Sequence, residues 1–246
     1  MIWCVSCLER TLIIQWTIGQ EIWAPVWTMD RLLQAPERRN LIGLTGKMES
    51  VLQWQWLWGG EFRTLNFIQS TGTQWIDTGF ADSNGIIVEY TASFQSYGYV
   101  VGSHNPYEPY GRNGGYLHQS GTWELGYGDV CPKSGSGQLN VVYDVKFSTV
   151  IGNAYLEVNG QRVVSSNQST TISSLNVLLF SNQYAFEHNY EGTCAIFYGA
   201  KIYDHNGNLV RNLIPTQRVS DGEIGIYDSV TQNFYVNSGS GEFLFG

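Results

Sequence analysis

The last third of the chain constrains the fold most, because residues 193–246 alternate short apolar and aromatic runs with turn residues. One such turn is His205-Asn206-Gly207-Asn208, which separates two apolar segments. Turn signals spaced about 8–12 residues apart are typical of all-β sandwiches. The pattern predicts an antiparallel all-β domain built from two sheets.

Two earlier segments alternate apolar and polar residues with the period of a half-buried strand. In residues 86–94 and 141–147 the polar positions between the apolar ones predict a face exposed to water. The side chains predicted to face the core are Ile86, Val88, Tyr90, Ala92 and Phe94 in the first segment, and Val141, Tyr143, Val145 and Phe147 in the second.

Asn159-Gly160 is the strongest hairpin signal in the chain, because a type I′ turn needs positive φ at both central residues. A two-residue loop at this point predicts that Glu157 lies opposite Arg162 as an ion pair. The same register predicts that Leu156 lies opposite Val163 as a core contact. Further along, residues 103–139 are rich in Gly, Tyr, Asn and His, and we predict that they form a long loop region.

The first 58 residues differ in composition from the rest. They contain seven of the nine tryptophans, and their five Lys/Arg balance five Asp/Glu, so the net charge of −8 belongs to residues 59–246. Trp54, Trp56 and Trp58 alternate with other residues, which places three indoles on one face of an extended segment. We therefore predict an anchoring or assembly segment at residues 1–58 that packs into a neighbouring subunit, with a jelly-roll domain at 59–246. Folding back onto that domain and a translation start at Met48 are the alternatives.

Several classes of function are disfavoured by composition. An acidic domain repels phosphate backbones, so we expect no nucleic-acid partner. Cys4 and Cys7 have the spacing of a metal or redox pair, but no second pair and no nearby His accompany them, which favours incidental thiols. No secretory signal is visible, and no stretch approaches the roughly 18 apolar residues needed to span a bilayer.

Two separated motifs resemble the LamG-like branch of the concanavalin A-like jelly rolls, as found in phage tail and fibre proteins and in surface proteins of gut bacteria. The resemblance covers about residues 65–246. It implies a two-sheet jelly roll, a virion-surface or extracellular location, and a role in carbohydrate recognition or in assembly. The opening motif is Phe67-Ile68-Gln69-Ser70-Thr71-Gly72-Thr73-Gln74-Trp75-Ile76-Asp77-Thr78-Gly79; the closing one joins Lys201-Ile202-Tyr203-Asp204, Leu209-Val210-Arg211-Asn212-Leu213-Ile214-Pro215, Gly225-Ile226-Tyr227-Asp228 and Phe234-Tyr235.

The sequence also disfavours catalysis. A retaining glycosidase on this scaffold needs two carboxylates about 5–5.5 Å apart, and the Glu-x-Asp-x-Glu strand pattern that would supply them is absent. Glu187 and Glu191 are four residues apart, with Asn189 between them. No nucleophile elbow accompanies the Ser and His residues. We therefore expect a protein that is not an enzyme, with an endo-glycanase as the third hypothesis.

For glycan binding, aromatic rings would stack on sugars while polar groups bond their hydroxyls. The competing hypothesis is that these aromatics pack the loop or the second sheet's core. Protein–protein assembly within a particle, with an oligomeric chain, is the alternative function. No cofactor is expected, although calcium bound by loop oxygens at Asp82 or Asp129 is possible. The predicted ligand-binding residues are His104, Tyr107, Tyr110, Arg112, Asn113, Tyr116, His118 and Trp123.

Overall fold

The computed structural model describes residues 61–107, 110–182 and 192–246, together with the backbone of four strands within the first 60 residues. The chain divides into two units, Met1–Leu57 and Trp58–Gly246. The tryptophans at 54, 56 and 58 lie outside the described residues, as do Glu187, His188 and Glu191. The packing role predicted for residues 1–58 therefore stays a prediction.

The first unit contains a small antiparallel sheet. Strand β2 pairs with β1 on one side and with β3 and β4 on the other, so that Trp16 lies opposite both Trp3 and Trp23. The strands are β1 (Trp3–Leu8), β2 (Thr11–Ile18), β3 (Glu21–Trp23) and β4 (Val26–Thr28). Cys4 and Cys7 both belong to β1.

The second unit consists of strands joined by turns and loops. In chain order these are β5 (Phe62–Thr64), β6 (Ile68–Ser70), β7 (Ile76–Asp77), β8 (Ile87–Phe94), β9 (Val101–Asn105), β10 (Gly111–Leu117), β11 (Trp123–Tyr127), β12 (Lys133–Ser134), β13 (Val142–Ser148), β14 (Ala154–Val158), β15 (Gln161–Ser166), β16 (Leu178–Leu179), β17 (Ala195–Tyr203), β18 (Leu209–Arg218), β19 (Ile224–Asp228), β20 (Asn233–Val236) and β21 (Leu244–Phe245). Within the described part of the chain, no helix is long and apolar enough to cross a membrane.

These strands form two antiparallel sheets. The larger sheet has the order β15-β14-β13-β8-β17-β18-β19-β20, with β6 also beside β17, β21 beside β6, and β5 beside β18. The smaller sheet has the order β12-β11-β10-β9-β16-β7. The predicted antiparallel jelly-roll sandwich is confirmed.

The core lies between the two sheets and contains the apolar face predicted for residues 86–94. Ile86, Val88, Ala92 and Phe94 are fully buried, and Tyr90 is 4 % exposed. In the second segment the prediction holds for Tyr143, Val145 and Phe147. It is wrong for Val141, which is 37 % exposed. The reason is that β13 begins at Val142, so Val141 lies between the turn at residues 139–140 and the strand.

The hairpin between β14 and β15 follows the predicted turn. Asn159 and Gly160 have φ of 49° and 75°, and Glu157 lies opposite Arg162. The predicted pairing of Leu156 with Val163 is wrong. A bulge after Leu156 places Val164 opposite it, because the pairing shifts by one residue between Leu156 and Glu157.

The prediction of a long loop at residues 103–139 is also wrong. This stretch contains the end of β9 and all of β10, β11 and β12, which form half of the smaller sheet. Its glycines are typical of a loop, but several of them are strand residues against which other groups pack closely.

Candidate functional site

The smaller sheet separates the predicted ligand-binding residues onto its two faces. On β9 and β10, His104 lies directly opposite Arg112, and both are half-buried on the outer face. Tyr116 lies on the same face of β10, four residues further along. The structure therefore brings His104, Arg112 and Tyr116 onto one surface of the sheet.

Asn113 and Trp123 face the core instead, which corrects their prediction as ligand-binding residues. Trp123 is 1 % exposed and packs edge-on against Phe94 and Tyr143, with ring centroids 5.5 and 5.1 Å apart. Asn113 is fully buried and accepts a hydrogen bond from the Thr149 hydroxyl. Successive residues of a strand face opposite sides of the sheet, so a residue whose neighbours face outward itself faces the core.

A row of three glycines crosses the outer face of the smaller sheet. Gly102, Gly114 and Gly126 lie side by side on β9, β10 and β11. A Cβ at Gly114 would lie 2.6 Å from Cε1 of Tyr99, and Cβ atoms at Gly102 and Gly126 would lie 2.7 and 2.6 Å from other atoms of the same side chain. The row is therefore glycine because the ring of Tyr99 lies across all three strands.

Tyr116 stacks on Tyr99, with ring centroids 4.0 Å apart and 25° between the ring planes. Its hydroxyl donates a hydrogen bond to Oε1 of Glu124, which is 5 % exposed. Lys133 Nζ lies 3.7 Å from Oε2 of the same carboxylate. Burial raises the pKa of both tyrosines and raises the pKa of the nearby Cys131 thiol to about 11. At neutral pH these three groups are uncharged.

His104 is also uncharged at neutral pH. Burial, together with the adjacent Arg112 guanidinium, lowers the pKa of its imidazole to about 4. Both causes act in the same direction, because an apolar environment and a neighbouring positive charge each disfavour the imidazolium. On the outer face of the smaller sheet the Arg112 guanidinium therefore lies beside a neutral histidine.

The remaining predicted residues lie in turns. Tyr107 and Tyr110 belong to the connection between β9 and β10 and are 58 % and 51 % exposed. His118 follows β10 and bonds the Ser120 hydroxyl through Nδ1 at 2.8 Å, within the turn before β11. The two tyrosines are thus close in sequence to His104 and Arg112, whereas His118 stabilises the opposite turn.

The larger sheet carries a groove of about 530 Å³ that sequence reasoning missed. We call it the outer groove, and it runs across β14, β13, β8, β17 and β18. Its polar and aromatic lining includes Thr91, Asp144, Lys146, Tyr198, Lys201 and Asn212. The alternation of β8 and β13 had indicated a wet face, but sequence alone did not show which strands lie beside them.

One border of the outer groove is a cross-strand row of alternating charges. From β15 to β18 the row reads Arg162, Glu157, Lys146, Glu89, Lys201 and Asn212. Arg162 and Glu157 are 2.8 Å apart, as are Lys146 and Glu89. The hydrogen bond from Lys146 lowers the pKa of the Glu89 carboxyl and outweighs the effect of its burial. Glu89 is therefore ionised at neutral pH.

A bulge in β17 places an aromatic ring at the outer groove. Between Phe197 and Gly199 the strand has one residue more than β8 opposite it, and that residue is Tyr198. Phe197 and Ala200 face the core, whereas Tyr198 is 36 % exposed. Beyond the bulge, Lys201 also faces outward, so Tyr198 and Lys201 share one face although they are three residues apart. In the next row, Thr91 donates a hydrogen bond of 2.7 Å to Asp144.

The two aspartates considered for calcium have protein partners. Asp82 accepts hydrogen bonds from the backbone N–H of Asn84 and from His205, whose Nδ1 is 2.7 Å away. Burial alone would raise the pKa of Asp82, but these bonds lower it. Asp129 accepts a hydrogen bond from Thr170. Among the described residues no group of three or more His, Cys, Asp or Glu side chains could hold a metal ion.

No protein-family model matches the sequence, and no curated protein matches it. Among solved structures, domains LG4-5 of the mouse laminin α1 chain are 14 % identical, with a TM-score of 0.42 over 67 % of this chain and 47 % of that one. Trypanosoma rangeli sialidase is 10 % identical, with a TM-score of 0.41 over 81 % of this chain and 40 % of that one.

The carbohydrate-binding module CBM66 from Bacillus subtilis is 10 % identical, with a TM-score of 0.33 over 61 % of this chain and 94 % of that one. This chain thus spans less than half of the laminin and sialidase chains. All three TM-scores are below 0.5, and the fold assignment rests on the strand pairing described above.

Proposed function

We propose that this chain is a non-enzymatic carbohydrate-binding protein, displayed on a virion or cell surface, and that the outer groove holds the sugar. The observation that carries the proposal is the composition of the groove. It combines one exposed aromatic ring, Tyr198, with hydroxyl, carboxylate, ammonium and amide groups on neighbouring strands. Sugars are bound by such a mixture, because their C–H faces stack on rings while their hydroxyls donate and accept hydrogen bonds.

The size of the groove agrees with this ligand class. Small-molecule sites occupy roughly 300–1,000 Å³, and the outer groove has about 530 Å³. Its side chains are held in place by their neighbours, since Thr91 bonds Asp144 and Lys146 bonds Glu89. A site whose polar groups are already oriented loses less conformational entropy on binding.

The charge state of the groove supports binding rather than hydrolysis. A glycosidase needs one carboxylic acid whose pKa is raised, so that it can protonate the leaving oxygen. The pKa of Glu89 is instead lowered by Lys146, and Glu157 is paired with Arg162 at 2.8 Å. Both carboxylates are suited to accept hydrogen bonds from sugar hydroxyls.

The experiment is a glycan array followed by calorimetric titration of the best ligand, using the full chain. Tyr198→Ala should weaken binding by about 2- to 10-fold, the effect of one aromatic contact. Tyr97→Ala is the matched control, since it removes an exposed tyrosine from outside the groove. Unchanged binding in Tyr198→Ala, together with loss of binding in Tyr107→Ala, would place the sugar on the smaller sheet and overturn the assignment to the groove.

Assembly within a particle is the second candidate function. It is favoured by two adjacent apolar residues on the edge strand β21, because Leu244 and Phe245 are 52 % and 45 % exposed. In this case residues 1–58 would bind other subunits through their tryptophans. A folded chain that binds no glycan on the array, and whose oligomers dissociate when Leu244 and Phe245 are both changed to Ser, would favour assembly over recognition.

A further inference from the structure

Arg112 stands out on the outer face of the smaller sheet because its guanidinium has no hydrogen-bond or ion-pair partner among the described residues. The residue is half-buried, yet within the described part of the chain it forms no side-chain hydrogen bond and no ion pair. A guanidinium carries five N–H donors in a planar fork that matches a carboxylate. None of the nitrogens of Arg112 is among the buried side-chain atoms that lack a hydrogen-bond partner, so they are accessible to water or to a ligand.

We propose that Arg112 binds the carboxylate of an acidic sugar, at a second site on the sheet opposite the outer groove. A carboxylate can accept two parallel N–H bonds from one guanidinium, which fixes both its position and its orientation. The site does not depend on the groove, since no residue of the groove belongs to β9 or β10.

The surroundings of Arg112 leave its charge available for a ligand. The nearby carboxylate of Glu124 is already engaged by the Tyr116 hydroxyl and lies 3.7 Å from Lys133, and it is not within ion-pair distance of Arg112. Cys131, Tyr99 and Tyr116 are neutral because burial raises the pKa of each. No ionised group among the described residues therefore competes directly with an incoming carboxylate.

His104 adds a neutral polar group directly opposite Arg112. As a neutral group it adds no second positive charge beside the guanidinium. Its protonation is also coupled to ligand binding. A carboxylate beside Arg112 would offset the positive charge that helps to keep the imidazole neutral, and the pKa of His104 would rise when the site is occupied.

Tyr107 and Tyr110 supply apolar surface at the same end of these strands. The backbone of Tyr107 is fixed by a hydrogen bond of 3.1 Å to the Asn105 side chain. Asn105 lies opposite Gly111, one residue pair from His104 and Arg112. The two exposed tyrosines therefore lie in the connection that begins one residue pair beyond His104 and Arg112, and apolar surface there would favour a sugar carboxylate over a bare inorganic anion.

The test titrates the full chain with tetragalacturonate and with the same oligosaccharide methyl-esterified at every carboxyl group. The ester keeps the sugar and removes its charge. Binding of the acid should be at least about tenfold tighter than binding of the ester, the effect expected for a charge-assisted hydrogen bond. Arg112→Gln should remove that difference, and Arg112→Lys should restore only part of it because an ammonium lacks the planar fork.

Two controls separate this site from other effects. Arg63→Gln removes an exposed cation on β5 and should leave binding of the acid unchanged. The imidazole signal of His104, followed by NMR, reports local structure in each variant and should show a raised pKa in the complex. Equal affinity for acid and ester, or tight binding of the acid by Arg112→Gln, would overturn the proposal. Neither result would contradict the function proposed for the outer groove.

Discussion

The ring of Tyr99 lies so close to Gly114 that a Cβ on the glycine would be 2.6 Å from Cε1 and 2.8 Å from Cδ1. Only hydrogen at this position allows the ring to lie flat on the sheet. The same ring also approaches Gly102 and Gly126, and it supports Tyr116 on its other face. The surface that carries Arg112 and His104 is thus built on a tyrosine that three glycines accommodate.

Gly114→Ala should therefore destabilise the fold by about 1–3 kcal/mol, the usual effect of forcing extra volume into a packed site. In a Tyr99→Ala background the added methyl group meets no ring, and the same substitution should have a smaller effect. Chemical denaturation of the four proteins in this cycle measures the coupling. Equal effects in both backgrounds would show that Gly114 is required for its backbone conformation and not for the contact with Tyr99.

Trp123→Ala should reduce the free energy of unfolding by about 3–5 kcal/mol, because it leaves a large cavity in the core. Trp123→Phe should have a smaller effect, since the ring still packs against Phe94 and Tyr143. Urea denaturation followed by circular dichroism gives both values. If Trp123→Ala lost glycan binding while keeping the stability of the unmodified chain, the buried position of the indole would be contradicted.

Asp228→Ala should also destabilise the protein strongly, by about 3–5 kcal/mol, because it removes a buried carboxylate that accepts several hydrogen bonds. The carboxylate is fully buried and accepts bonds from the backbone N–H groups of Asn212 and Val230 and from the Thr231 hydroxyl. Asp204→Ala provides a comparison, since Asp204 organises its own turn in the same way but at the exposed surface. Thermal unfolding of the two variants should show a much larger shift for Asp228→Ala.

Stability should fall as the pH drops from about 6.5 to about 4, in part because of His104. The pKa of His104 is lowered from 6.5 to about 4 in the folded chain. In that interval the unfolded chain therefore binds a proton that the folded chain does not, and acidification favours unfolding. His104→Gln should flatten this part of the profile of unfolding free energy against pH. An NMR titration that placed the imidazole pKa near 6.5 in the folded chain would contradict the burial of this side chain.

Much of the larger sheet could be predicted from sequence, because its strands alternate apolar and polar residues and its turns carry strong signals. The face of residues 86–94 and the turn at Asn159-Gly160 are examples. The sequence does not predict the strands of the smaller sheet that contain Gly102, Gly114 and Gly126. Glycine in a strand is also a turn signal, and only the position of Tyr99 in space shows why these residues are needed.

The candidate sites were harder to predict for a related reason. The outer groove is formed by residues from five strands, and their adjacency depends on the strand order 14-13-8-17-18, which local patterns do not contain. On the smaller sheet, His104, Arg112 and Tyr116 were identified by residue type. Asn113 and Trp123 also belong to the predicted ligand-binding set, because residues in a predicted loop cannot be assigned to an inward or an outward face. In a strand the two faces are distinct, and both residues face the core.

Tyr198 is an extra residue in β17, since β8 continues its pairing across it, with Ala92 opposite Phe197 and Thr91 opposite Gly199. Removing it would leave Phe197 and Ala200 inside and Lys201 outside, because the intervening Gly199 would complete a regular alternation. The aromatic ring of the groove could thus be gained or lost by a single-codon insertion or deletion without repacking the core. In chains of this architecture, ligand preference could diverge through changes in length at this position, and an alignment that allows no gap in β17 would overlook them.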